Sequence, residues 1–94
     1  MKVEITLTGI LKYKAKCDSK VVETDSSKTI KEVLQKMEKE LDKPLGLFKN
    51  DELQNGLILF YRSAAGGLTR VMDLSQKIRA EYGKLVITTS MAGG

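Results

Sequence analysis

Thr29-Ile30-Lys31-Glu32-Val33-Leu34-Gln35-Lys36-Met37-Glu38-Lys39-Glu40-Leu41 is the most strongly patterned segment of the chain. Thr29 and Glu32 have the Thr-x-x-Glu spacing of a capping box. In that motif the Thr hydroxyl accepts the amide three residues on, and the Glu carboxylate accepts the amide of the Thr. Ile30, Val33, Leu34, Met37 and Leu41 then recur with helical spacing, so they form one apolar stripe. Lys31, Gln35, Lys36, Lys39 and Glu40 occupy the other face and are expected in solvent. Pro44 has no N–H to donate and clashes with the preceding turn, so the helix is expected to stop soon after Asp42.

Working back from the helix, Lys20-Val21-Val22-Glu23 reads as a short strand behind an Asp18-Ser19 turn. Val3, Ile5 and Leu7 alternate with Lys2, Glu4 and Thr6, the period-two pattern of a half-buried strand closed by Gly9. Residues 10–17 have no clear period, and the two strands are expected to pair as an antiparallel hairpin with a long loop. Working forward, residues 45–54 read as a loop with a short helical turn, and Asn55-Gly56 is a turn dipeptide. The apolar run Leu57-Ile58-Leu59-Phe60-Tyr61 is expected as a central strand covered on both faces, or nearly so. Phe60 and Tyr61 must point to opposite sides, and alternation alone leaves open which one faces the helix. Ala64-Ala65-Gly66-Gly67 is a turn, a short strand is expected over 68–72, and residues 73–81 are polar and unassigned. Tyr82-Gly83-Lys84 leads into a last strand, Leu85-Val86-Ile87-Thr88.

This order describes an α+β domain: a mixed sheet of four to five strands with one long amphipathic helix across one face. A ubiquitin-like β-grasp fits it best. The expected domain covers 1–88, followed by a tail at 89–94.

Composition narrows the chemistry. The 94 residues contain no His, which excludes a Ser-His-Asp or Cys-His pair, a histidine general base and His zinc ligands. One cysteine, Cys17, rules out an intrachain disulfide and suits a reducing compartment; the thiol is read as incidental and half-buried. The opening alternates like a strand, unlike a secretory leader. No apolar run approaches the roughly 20 residues of a membrane span, so a cytoplasmic location is expected. The net charge of +4 is mild, and the early lysines Lys12, Lys14, Lys16 and Lys20 have only Tyr13 beside them as an aromatic. They are read as a solvated face, and nucleic-acid binding is not expected. Asp51, Glu52, Asp73 and Glu81 are read as surface carboxylates. No constellation for intrinsic catalysis, metal or bound cofactor emerges, so the chain reads as a carrier or binding module.

The remaining motif is Met91-Ala92-Gly93-Gly94, directly after a strand. With glycine at a background of about 7%, two glycines in the last two positions arise by chance about 0.5% of the time. Lacking Cβ atoms, such a pair can pass through a narrow channel and present a backbone carboxylate to another protein. An ionised carboxylate is a poor electrophile and must be activated, for example as a mixed anhydride with AMP. The chain has no Gly-x-x-x-x-Gly-Lys-Ser/Thr phosphate loop, so activation and its ATP are assigned to a partner enzyme.

In its opening strand, its Thr29-x-x-Glu32 helix start, its 57–61 strand and its Gly93-Gly94 ending, the chain resembles the ubiquitin-like sulfur carriers. These are typified by the small subunit of molybdopterin synthase and the thiamin-pathway sulfur carrier. Thr88-Thr89-Ser90-Met91 stands where that family commonly has an aromatic residue, two prolines and a valine, and Tyr82-Gly83-Lys84 replaces its Asp-Gly-Asp turn. The resemblance implies adenylation of Gly94 by an adenylyltransferase of the ubiquitin-activating type and conversion to a thiocarboxylate. Gly93, Ala92 and Met91 would present the tail. It also implies an acceptor such as the molybdopterin synthase large subunit, in molybdenum cofactor biosynthesis. Conjugation through Gly94 to target lysines, or sulfur transfer to thiamin or tRNA, are the alternatives.

Overall fold

The computed structural model describes residues 1–89. The alternating N-terminal segment forms β1 (Lys2–Leu7), with Val3, Ile5 and Leu7 buried. After Gly9 the chain makes a short helix, α1 (Ile10–Ala15), ended by Lys16 in the left-handed conformation. It returns as β2 (Ser19–Glu23), antiparallel to β1 with Val3 opposite Val22. The expected hairpin is present, and much of its long connection is helical.

The helix α2 (Ile30–Lys39) begins at the capping box as read. The Glu32 amide donates to Thr29 Oγ1 at 3.1 Å, and the Thr29 amide donates to Glu32 Oε1 at 3.0 Å. Ile30, Val33, Leu34 and Met37 are buried. Its end differs from expectation, because α2 stops at Lys39, well before Pro44. The amides of Glu40 and Leu41 turn to the carbonyls of Met37 and Glu38, which tightens the last turn. The Glu38 carboxylate accepts the amides of Gly46 at 2.7 Å and Leu47 at 3.3 Å, drawing the loop back toward the helix. Leu41 is therefore half-buried beyond the helix, while Leu45 and Leu47 are buried in the core. On the outer face Lys31 and Gln35 are half-buried, and Lys36, Lys39 and Glu40 are exposed.

Residues 45–54 contain no helical turn. They hold a small antiparallel hairpin, β3 (Phe48–Lys49) and β4 (Glu52–Leu53). Asn50 and Asp51 turn it at φ 54° and 64°, the paired positive values a two-residue hairpin loop requires and which these residue types tolerate. A second hairpin joins β5 (Leu57–Arg62) to β6 (Leu68–Arg70). The polar stretch that follows lies against the start of α2. The Ile30 and Lys31 amides donate to the carbonyls of Gln76 and Leu74, and the Ile78 amide donates to Lys28, placing Ile78 wholly inside the core. A single 3-10 turn (Ala80–Tyr82) precedes β7 (Lys84–Thr89).

The five-stranded sheet runs β2-β1-β7-β5-β6. β1 and β7 are parallel, and every other neighbouring pair is antiparallel. α2 covers one face, where its stripe packs with Val3, Ile5, Leu7, Val22, Leu59, Leu85 and Ile87. The reading of β5 as a central strand covered on both sides needs correction: β7 holds the middle and β5 is second from the edge. Leu59 is the one fully buried residue of β5, and the apolar run serves a core face and an open face together. Tyr61 faces the core, its ring centroid 5.1 Å from that of Tyr82 in an edge-on contact, so Phe60 lies on the open face.

Three carboxylates brace the loops around α2. Asp25 Oδ1 accepts the Ser27 hydroxyl and amide, and Asp73 Oδ1 does the same with Ser75. These bonds hold both Asp carboxyls below their usual range, and the Thr29 amide does the same for Glu32. A carboxyl whose pKa is lower folded than unfolded adds stability above the ordinary value of about 4, and loses it as pH falls through the depressed value. The urea midpoint should therefore drop below about pH 4, and Asp25→Asn with Asp73→Asn should flatten that acid limb. Thr29→Ala should cost about 1 kcal/mol and lower Tm by several degrees, while Thr29→Ser keeps both cap bonds and most of the stability. Thermal and urea unfolding followed by circular dichroism check both.

Candidate functional site

Met91, Ala92, Gly93 and Gly94, the site residues named from the sequence, lie outside the described residues. The structure places the strand that leads to them and the surfaces around its end. β7 is paired on both sides: Ile87 lies opposite Leu7 of parallel β1, while Thr88 and Thr89 lie opposite Ile58 and Leu57 of β5. The Thr8 hydroxyl donates to the Ile87 carbonyl at 3.1 Å, stitching the β1–α1 junction to β7. Gly9, at φ +58°, passes so close that a Cβ there would lie 3.5 Å from Thr89 Oγ1. Thr89, placed in the tail by sequence, is thus part of the sheet. Nothing in the sequence pattern marked Thr8; only the meeting of chain segments far apart in sequence reveals its role.

Among the described residues no helix packs on the sheet's other face. Across it Thr6, Val86, Phe60 and Arg70 stand in one row on β1, β7, β5 and β6. Val86 is only 5% exposed although it lies outside the main core, because its neighbours on the sheet cover it. Arg62, Arg70 and Lys84 surround this apolar centre and are exposed. None of the three is in an ion pair among the described residues. Alternation in β7 could have suggested Val86, but the register that brings Phe60 beside it could not be read.

The remaining candidates are placed as surface groups. Asp51, Glu52, Asp73 and Glu81 are exposed, and among the described residues no cluster of three or more His, Cys, Asp or Glu could hold a metal. Cys17 is a half-buried free thiol packed against the core's edge. Lys12, Lys14 and Lys16 are exposed, with Lys12 paired to Asp18 at 3.1 Å. An open groove between residues 51–59 and 70–75, with Lys31 of α2 at its edge, is lined by Asp51, Arg70 and Asp73 among others. Its charges are mixed, and Lys31 is paired with Asp51 at 3.1 Å. No helix among the described residues is long and apolar enough to cross a membrane. What the geometry does is pair the end of β7 with β5 and set it beside the β1–α1 junction.

Superposition on solved structures matches the crystal structure of SAMP1 from Haloferax volcanii, with a TM-score of 0.70 over 100% of both chains at 19% sequence identity. The fold is the ubiquitin-like β-grasp. No family model and no curated protein matches the chain. A β-grasp this divergent from its neighbour keeps the path of the backbone while most side chains differ, so the likeness supports architecture and the site must be argued from residues.

Thr8→Val keeps the shape of the side chain but removes the hydrogen bond to Ile87. It should cost about 1 kcal/mol. Amide exchange measured by mass spectrometry should quicken in α1 while the β1–β2 pairing keeps its protection.

Proposed function

We propose that this chain is a ubiquitin-like carrier that acts through the carboxylate of Gly94. The observation that carries the reading is the approach to the tail. The middle strand of a β-grasp is paired on both sides as far as Ile87 and by β5 alone through Thr89, and the sequence then runs Ser90-Met91-Ala92-Gly93-Gly94. A rigid domain that bears a short glycine-ended segment suits a substrate handed from one enzyme to another, with the chemistry supplied by those enzymes.

The expected reaction has two steps. A Gly94 carboxylate oxygen attacks the α-phosphorus of ATP on an adenylyltransferase of the ubiquitin-activating type, and pyrophosphate leaves. Hydrosulfide then attacks the acyl carbon, the bond to the phosphate oxygen breaks, AMP leaves and a proton is released, giving a thiocarboxylate. Gly93, Ala92 and Met91 present the terminus, ATP is bound by the partner, and the carrier needs no cofactor of its own. Within the resemblance, the favoured acceptor is the molybdopterin synthase large subunit, with thiamin or tRNA thiolation as other destinations.

A second reading is favoured by one specific observation: the stretch 88–91 has no proline. Without proline to restrict its path, the tail is less committed to a single acceptor channel. Transfer of the same acyl adenylate to target lysines, as a protein modifier, fits that freedom.

The test is the intact mass of the protein with its native C-terminus after incubation with ATP, sodium sulfide and the adenylyltransferase of its own organism. A sulfur carrier gains about 16 Da as sulfur replaces oxygen, and the gain is lost on deletion of Gly94. Conjugates in cells that resist reducing agent and require Gly94 would identify the modifier. Absence of both products would overturn the proposal.

A further inference from the structure

Among the described residues nothing covers the outer face of α1. Its inner side is anchored by Leu11, which is buried, and by Ala15, which packs against the core. Its outer side displays Ile10 at 57% and Tyr13 at 81% exposure, three residues apart and therefore neighbours on one face. Two large apolar side chains held this far into water on a six-residue helix are costly surface, and an aromatic with one polar end is the type enriched at the centre of protein interfaces. Lys12, Lys14 and Lys16 flank them. Among the described residues Lys12 alone of the three has an ion-pair partner, Asp18.

Position makes this face informative. The Thr8–Ile87 hydrogen bond ties the start of α1 to β7, and Gly9 lies close enough to the strand's end that an added Cβ would be 3.5 Å from Thr89 Oγ1. Five residues separate Thr89 from Gly94, a covalent reach of at most about 18 Å. An enzyme that takes hold of Gly94 therefore has its surface within that reach of Thr89, where α1 stands. We propose that Ile10, Tyr13 and the lysines beside them form a docking surface for the adenylating enzyme, which meets them with an apolar pocket rimmed by acidic side chains. This rests on the reading of Gly94 as the group activated. Such a contact outside the reacting atoms contributes to recognition of the carrier and leaves the chemical step unchanged.

The experiment measures pyrophosphate release by the organism's own adenylyltransferase as the concentration of the 94-residue chain is varied, together with equilibrium binding of the same pair without ATP. Ile10→Ser with Tyr13→Ala should raise KM and weaken binding by about tenfold or more, with kcat unchanged. Lys14→Glu should act in the same direction, and added salt should raise the KM of the parent. Lys39→Glu makes the same charge change on the outer face of α2 and should leave KM unaltered. These side chains are exposed, so melting curves should match the parent. Deleting Gly94 should abolish pyrophosphate release while binding through α1 survives. A KM and affinity within twofold of the parent for both the α1 double variant and Lys14→Glu would overturn the docking surface and leave the role of Gly94 standing. Continued release after deletion of Gly94 would overturn that role, and absence of both binding and release in the parent would overturn both.

Discussion

The parallel pairing of β1 with β7 is the constraint around which the molecule is arranged. It joins the first strand to the last, aligning Ile5 with Leu85 and Leu7 with Ile87, all four essentially inaccessible to water. Parallel neighbours cannot be connected by a tight turn, so the chain between them has to cross over the sheet before β7 can pair with β1. α2 makes the long traverse across the core face, and the β5–β6 hairpin then adds to β7 from the other side. Non-local pairing of this kind repays its loop-closure entropy only when the intervening chain contributes burial of its own, which the α2 stripe, Leu47 and Ile78 provide.

The same pairing determines what the end of β7 can offer. β7 is paired on both sides as far as Ile87, and β5 alone carries it on to Thr89, opposite Leu57, so Thr89 is placed by the sheet. Around that point the structure gathers two different surfaces. The open sheet face has an apolar centre of Val86 and Phe60 among exposed Arg62, Arg70 and Lys84. On the other side of the strand's end, α1 lifts Ile10 and Tyr13 into solvent beside lysines. Both surfaces are basic with apolar centres, which suits partners whose own rims are acidic.

Local chemistry was legible where a few adjacent residues settle it. The capping box of α2 and its four buried positions follow from spacing alone, because helix periodicity and end-capping act within a few residues. β1 and β2 were legible for the same reason. The end of α2 was not, since it depends on Glu38 reaching the amides of Gly46 and Leu47 in a loop that folds back. The β3–β4 hairpin carried a signal in Asn50-Asp51, two residues that tolerate positive φ, but strands of two residues have too little alternation to declare themselves. The run 57–61 was misleading because five apolar residues in succession look alike whether both faces are covered or one lies open.

By itself the sequence determined the composition of the sheet-and-helix domain, the capped start and apolar stripe of α2, and the absence of histidine chemistry. It also supplies the Gly93-Gly94 ending on which the proposed activity rests. Tertiary structure alone decided that β7 takes the centre, that Tyr61 turns inward and Phe60 outward, and that Thr8 ties α1 to the end of β7. The division has a physical cause. Helix caps and periodicity are energies between near neighbours, whereas strand order, register and the exposure of a face are set by contacts between segments that only folding brings together.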